Sequence, residues 1–180
     1  GWVAQDPEVL APMGYGSIKD VVTTQELEQM AKAGEITCPS DGRKAKKVAF
    51  LLNTTLCEPE DIYAPKVEEE AEEEAKPEEE EETYVHKDLE DPRHLPYSKS
   101  INTMVALKQA GYVADAAEDA TAYIFYDSMI VPGIHERFYK AAQDKLGVML
   151  TKGEIVSVTQ AEDGVIVRAA DTLFGAEIDV

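Results

Sequence analysis

Apolar residues along this chain follow two rhythms, short consecutive runs and helical stripes, and the two alternate. The first stripe is Leu27, Met30 and Ala31. Before it, Thr23-Thr24-Gln25-Glu26 has the spacing of a capping box, and after it Gly34 supplies a left-handed stop, so a helix is predicted between them. A turn cluster, Cys38-Pro39-Ser40-Asp41-Gly42, and a basic group, Arg43, Lys44, Lys46 and Lys47, follow. From Lys47 to Asn53 the apolar residues are consecutive rather than alternating, which predicts a strand covered on both faces, as in a parallel sheet.

Farther along, Ser98 or Ser100 is placed to cap a helix that carries Ile101, Met104, Val105 and Leu107 and is closed by Gly111. Thr121 to Tyr126 predicts a second buried strand, in which Tyr123, Phe125 and Tyr126 serve packing. A helix from about Ile134 to Leu146 presents Ile134, Phe138, Ala141, Ala142 and Leu146 on one side, with Gly147 as its stop and Val148 to Thr151 as a third short strand. The last third changes rhythm. Glu154 to Thr159, Val165 to Ala170 and Ala176 to Val180 are short runs separated by Glu162-Asp163-Gly164 and Phe174-Gly175, the pattern of an antiparallel meander. The predicted order is β-α-β-α-β followed by a β-meander, an α/β domain in three layers. Such a unit is half of a dinucleotide-binding fold, with right-handed crossovers making its sheet parallel.

Charge adds one segment to this picture. The chain has 180 residues, enough for one domain, with 36 acids against 17 Lys and Arg and a net charge of −19. Between Glu58 and Asp91 there are 17 acids and three bases (Lys66, Lys76 and Lys87), so the other 146 residues carry only −5. The balance excludes a nucleic-acid backbone or an anionic membrane as the main partner. The stretch from Val67 to Glu82 has almost no apolar content, and Pro77 interrupts any helix, so the insert reads first as a disordered, solvated spacer. A second reading is a docking arm for a basic partner, and a third is a calcium site, for which no EF-hand spacing is visible. The organisation expected is a lead-in over residues 1–46 and a domain over 47–180 that holds the insert at 58–91.

No apolar run approaches the roughly 20 residues of a membrane span. The start, Gly1-Trp2-Val3-Ala4, lacks the order of a signal peptide. Cys38 and Cys57 are too few for a disulfide scaffold or a four-cysteine site and read as free thiols, so a reducing cytoplasm is the expected compartment. His86, His94 and His135 are too widely spaced for a metal site. Absence of an initial Met and an apparent strand at the end suggest a piece of a longer protein.

In a dinucleotide-binding fold the chemistry follows the first strand, where a glycine-rich turn lets a pyrophosphate approach a helix N-terminus. Here Asn53, Thr54 and Thr55 occupy that place, with no glycine before Glu58. The connection to the next helix runs about 45 residues and contains the whole acidic segment. With a Debye length of roughly 8 Å, its carboxylates repel a bound pyrophosphate. The candidate cofactor-binding residues are therefore Asn53, Thr54, Thr55, the helix start at Ser98, and Asp127, where such folds keep the acid that binds ribose hydroxyls. No catalytic residue and no metal ligand is assigned.

Several stretches carry a resemblance. Lys46 to Leu51, Pro96-Tyr97-Ser98 to Ala110, Ala122 to Asp127, and Glu136 to Ala142 with Leu146-Gly147-Val148 resemble the A-type subunit of heterodisulfide reductase. Val21 to Glu28, Pro39-Ser40-Asp41-Gly42 and Asp171 to Gly175 match that family in the same order. The resemblance implies a thioredoxin-reductase-type flavoprotein, in which this region is the second, dinucleotide-binding-like domain inserted between halves of an FAD domain. The full-length protein would hold FAD outside this piece. Where the family carries cysteines, this chain has Asn53, Ser98, Asn102 and Thr103, which supply no thiolate, so no iron–sulfur cluster is expected in this segment. That loss, together with the acidic insert, resembles the B-type subunit of the quinone-interacting membrane-bound oxidoreductase complexes of sulfate reducers. The resemblance implies a cytoplasmic electron-transfer protein, membrane-associated through partner subunits, passing electrons between membrane quinone and adenylylsulfate reductase. The fragment would be a docking module rather than a catalyst on its own. The alternative is a functional NAD(P)-binding domain of a heterodisulfide reductase-like oxidoreductase.

Overall fold

The computed structural model describes residues 7–52, 98–171 and 177–179. In chain order the elements are α1 (Pro7–Leu10), α2 (Thr24–Ala33), β1 (Lys47–Leu51), α3 (Ser98–Ala116), β2 (Thr121–Tyr126), α4 (Glu136–Gln143), β3 (Val148–Ala161), β4 (Gly164–Asp171) and β5 (Glu177–Asp179), with 3-10 turns at Ala11–Met13 and Gly133–His135. The acidic insert, Asn53 to Thr55, Cys57, His86, His94 and Phe174-Gly175 lie outside the described residues. No helix among the described residues is long and apolar enough to cross a membrane.

The five described strands form one sheet in the order β1-β2-β3-β4-β5. β1 pairs with β2 in parallel, Val48 opposite Ala122, and β2 pairs with β3 in parallel, Ala122 opposite Val148. β3, β4 and β5 then run antiparallel. The expected β-α-β-α-β order and meander are thus present in a mixed α/β sheet.

Alternation along the strands divides the interior in two. Val48, Phe50 and Leu52, with Ala122 and Ile124, enter a core with Leu27 of α2, Ala106, Leu107, Ala110 and Val113 of α3, and Ala142 of α4. The intervening residues Ala49, Leu51, Tyr123 and Phe125 pack instead against Val158, Val165, Val167 and Ala169 of the meander. Helices cover one face of the parallel strands and the meander covers the other. This double cover is the physical reason for the uninterrupted apolar runs in β1 and β2.

α2 forms as its sequence dictates. The Thr23 hydroxyl accepts from the Glu26 N–H while the Glu26 carboxylate accepts from the Thr23 N–H at 2.7 Å, and Gly34 ends the helix at φ +95°.

Four boundaries differ from the sequence reading. β1 ends at Leu51 rather than running to Asn53. α3 passes through Gly111 to Ala116, and Ser98 and Ser100 lie inside it rather than capping it. Burial of Ala110 and Val113 against the sheet outweighs the helix-breaking tendency of one glycine, about 1 kcal/mol. The helix predicted over Ile134 to Leu146 is shortened to Glu136–Gln143, and its inner face is Ala142 with Tyr139. Ile134 (80% exposed) and Leu146 (93% exposed) lie beyond its ends, and Phe138 and Ala141 are exposed on its outer side. The short third strand and the first meander strand are one continuous β3, which bends at a bulge between Ile155 and Ser157.

Candidate functional site at the ends of the parallel strands

Parallel strands direct their carboxyl ends to one side of a sheet, and the helix after each strand starts from there. At that side the structure places the end of β2, with Asp127 following Tyr126, beside the first turn of α3, which begins at Ser98. The contact is made by Lys99. Its Nζ lies 3.5 Å from each carboxylate oxygen of Asp127. The Ser128 hydroxyl donates to Asp127 Oδ1 at 2.8 Å, and the Ser128 N–H donates to the same oxygen. Lys99 is mostly covered (13% exposed) and Asp127 is half exposed (49%).

The structure thus brings the Ser98 end of α3 and Asp127 to one place, while Asn53, Thr54 and Thr55 lie outside the described residues. Sequence reasoning missed Lys99. Its signal was a lone cation in the first turn of a helix, a place that ordinarily favours acids, which requires a local carboxylate to offset the helix dipole. Chemically, Asp127 Oδ1 is committed to Ser128, and Oδ2 faces Lys99. A ribose diol would compete for Oδ2, and Lys99 would neutralise part of a phosphate's charge. Tyr126, next to this end, has its phenol pushed above its ordinary range by burial, with Tyr139 adding to the effect.

Of the positions where cysteines stand in the resembling family, Thr103 is completely buried and its hydroxyl donates to the Lys99 carbonyl at 2.9 Å. Among the described residues no group of three or more His, Cys, Asp or Glu is placed to hold a metal ion. Cys38 lies in a tight hairpin: its N–H donates to the Arg43 carbonyl at 2.8 Å, and its carbonyl accepts from the Gly42 N–H at 2.8 Å. Burial pushes its thiol up, and Asp20 and Asp41 push the same way against the opposing Arg43.

Most of the basic group before β1 is matched internally. Arg43 pairs with Asp41 and lies 3.9 Å from Asp163, Lys44 lies 3.6 Å from Glu35, and Lys46 pairs with Asp119. The Asp41 carboxyl is held below its usual range by the Arg43 N–H and guanidinium, and that of Asp119 by Lys46.

No family model matches the chain. Curated proteins do align with it over nearly its whole length. The chain is 29% identical, over 97% of its length, to the A-type subunit of the H2:CoB-CoM heterodisulfide,ferredoxin reductase of Methanothermobacter marburgensis, of which it covers 23%. The chain is similar to the A-type heterodisulfide reductase subunits. Two further relatives of that type agree. The second A-type iron-sulfur subunit of the CoB–CoM heterodisulfide reductase of Methanopyrus kandleri is 24% identical over 99% of the chain, and the A-type iron-sulfur subunit of Methanocaldococcus jannaschii is 24% identical over 100% of it; the chain covers 24% of each. The chain therefore spans about a quarter of the length of these heterodisulfide reductase subunits, and its alignment with them includes the strand-end site.

Proposed function

We propose that this chain is a dinucleotide-binding-like domain, of thioredoxin-reductase type, from an electron-transfer flavoprotein related to the A-type heterodisulfide reductase subunits, and that it works as a structural and docking module. The observation that carries this reading is the joint one of strand order and similarity: a β-α-β-α-β unit followed by a meander, in a chain aligned over nearly its whole length with those subunits. Residues 1–46 are proposed as the lead-in from an FAD domain and residues 47–180 as the module. FAD belongs to the longer protein, with no residue of this chain assigned to it. The compartment proposed is the cytoplasm, with membrane association through partner subunits.

The finer reading is a protein linking membrane quinone to adenylylsulfate reductase, as in the quinone-interacting complexes of sulfate reducers. Two features support a docking rather than a nucleotide role. The connection after β1 holds the −14 segment in place of a glycine-rich turn, and Asp127, where a ribose would be held, is occupied by Lys99 and Ser128. A specific observation favours the alternative of a working NAD(P) site at Asn53 to Thr55, Ser98 and Asp127: the Asp127 carboxylate remains half exposed beside the start of α3.

Titration of the protein with NADH and NADPH separates the two. The docking reading expects no saturation up to millimolar nucleotide. Saturable micromolar binding lost in Asp127→Ala would establish the alternative. Association with partner subunits through the acidic segment is expected to weaken steeply as salt is raised from 50 to 500 mM, and association indifferent to salt would remove the acidic arm from the interface.

A further inference from the structure

Two turns far apart in sequence meet in the approach to β1. One is the tip of the hairpin over residues 36–45. Ile36 is buried in the helix-side core, the Ala45 N–H donates to its carbonyl at 3.0 Å, and Thr37 bridges to Lys44, so the root of this hairpin is fixed. Its tip is fixed as well. The Asp20 carboxylate accepts from the Ser40 N–H at 2.8 Å and from the Ser40 hydroxyl at 2.7 Å. The other turn is Glu162-Asp163 between β3 and β4, closed by the pairing of Ala161 with Gly164. Gln160 Nε2 donates to the carbonyls of Ala161 at 3.0 Å and of Gly164 at 2.8 Å, which braces that turn.

Arg43 joins the two. Asp41 accepts from the Arg43 N–H at 2.9 Å and pairs with its Nε, and the planar guanidinium then presents its two Nη groups to the second turn. Nη2 donates to the Asp163 carbonyl at 3.3 Å, and Nη1 lies 3.9 Å from the Asp163 carboxylate. Both distances are long, and both partners stand in solvent, the Asp163 side chain 94% exposed and that of Arg43 55%. Exposed pairs of this kind contribute little and are screened by salt. Both turns line a cavity of about 1010 Å³, Cys38 and Arg43 from the hairpin and Asp163, Gly164 and Val165 from the meander, with Leu27 and Ile36 among its apolar lining.

We propose that the turn between β3 and β4 is a lid on this cavity and that Arg43 is its latch. Each body is held firmly within itself, the hairpin by Asp20 and the core, the turn by Gln160 and its ladder, while the joint between them is weak. Two stiff parts with a weak joint move as a two-state closure. In the closed state Arg43 keeps Asp163 against the hairpin and Val165 against the cavity. When the contact breaks, the far end of the β3–β4 hairpin moves away from the tip at Ser40 and Val165 meets solvent. Diffusible anions compete with Asp163 for the guanidinium, so ionic strength sets the balance between the two states. The device controls entry of water and solutes to the apolar lining, and it stands whether or not the protein binds nucleotide.

Alkylation by iodoacetamide tests the lid, in the intact protein carrying Val165→Cys, with the labelled position identified by peptide mass spectrometry. Labelling there is expected to be slow at about 50 mM salt and to rise roughly two- to fivefold at about 500 mM. Adding Arg43→Gln is expected to give the same rise at low salt and to remove the dependence on salt. Labelling indifferent to both salt and Arg43 would overturn the proposal. Asp20 makes no hydrogen bond to Arg43 or Asp163, yet Asp20→Ala is expected to speed labelling as well, because it frees the anchored tip; an unchanged rate counts against the latch. Val113→Cys, on α3 in the helix-side core, separates lid opening from general unfolding. Its labelling is expected to stay constant throughout, and an equal rise at both positions would sink the lid.

Discussion

At the scale of single residues, two glycines with similar backbone angles have different reasons to be glycine. Gly147 has φ +80°, and an added Cβ would lie 2.8 Å from the Ala120 carbonyl and 3.3 Å from Ala114 Cβ. Gly34 has φ +95° with open space around it. Gly147→Ala is therefore expected to cost about 2 to 4 kcal/mol, left-handed strain plus overpacking, and Gly34→Ala only about 1 kcal/mol. Denaturant midpoints of the two variants check this, and equal losses would mean that packing at Ala120 is irrelevant. Glu28 gives a pH-dependent counterpart. Lys108, whose Nζ lies 2.9 Å from Glu28 Oε2, and Gln109, whose Nε2 lies 3.1 Å from the same oxygen, lower its carboxyl below the ordinary 4.5. A depressed native pKa means that the contribution is complete above the ordinary glutamate range and is lost as pH falls through the lower native value. Glu28→Gln should therefore narrow the difference in stability between pH 7 and pH 3.5, and an unchanged difference would show that the contact between α2 and α3 is indifferent to that charge.

At the scale of elements, the caps of α2 and the double-sided runs were legible in the sequence, while the ends of α3 and α4 and the inner face of α4 were not. Thr23, Glu26 and Gly34 define α2 by local hydrogen bonds, and local chemistry is what a sequence displays most directly. β1 and β2 were readable because both their faces are covered, leaving no alternation to interpret. α4 misled because its apolar residues also satisfy a helical stripe on the wrong side: Tyr139 and Ala142 turn inward, and Ile134 and Leu146 fall outside the helix. Leu146→Ser is accordingly expected to change stability by no more than about 0.5 kcal/mol. A loss of 2 kcal/mol or more in a thermal melt would restore the longer amphipathic helix. At the strand-end site the sequence displayed Asp127 as a strand terminus, but the pairing with Lys99 joins residues 28 positions apart and needed the fold to bring them together.

At the scale of the whole molecule, the parallel strands separate two cores with adjacent residues on β2 serving each. Ile124 is fully buried on the helix side, and Phe125 is almost fully buried on the meander side. Phe125→Ala should cost about 3 to 5 kcal/mol and speed amide exchange in β4 more than in α3. Ile124→Ala should reverse that ranking. If both variants loosen both regions equally, the interior behaves as one core. The charge is divided as unevenly as the interior is layered, with −14 carried between Glu58 and Asp91 and −5 by all other residues.

The uninterrupted run of β3 from Val148 to Ala161 limits how this unit can be rearranged. Its first residues belong to the ladder with β2, and those from Gly153 onward belong to the ladder with β4. A gene fusion, circular permutation or recombination point placed between the parallel strands and the meander would fall inside β3 and separate the two ladders that this strand joins. An engineer seeking a minimal module therefore finds no loop at this junction to cut, and a break there leaves β2 paired on that side with a strand of only five residues, Val148 to Lys152.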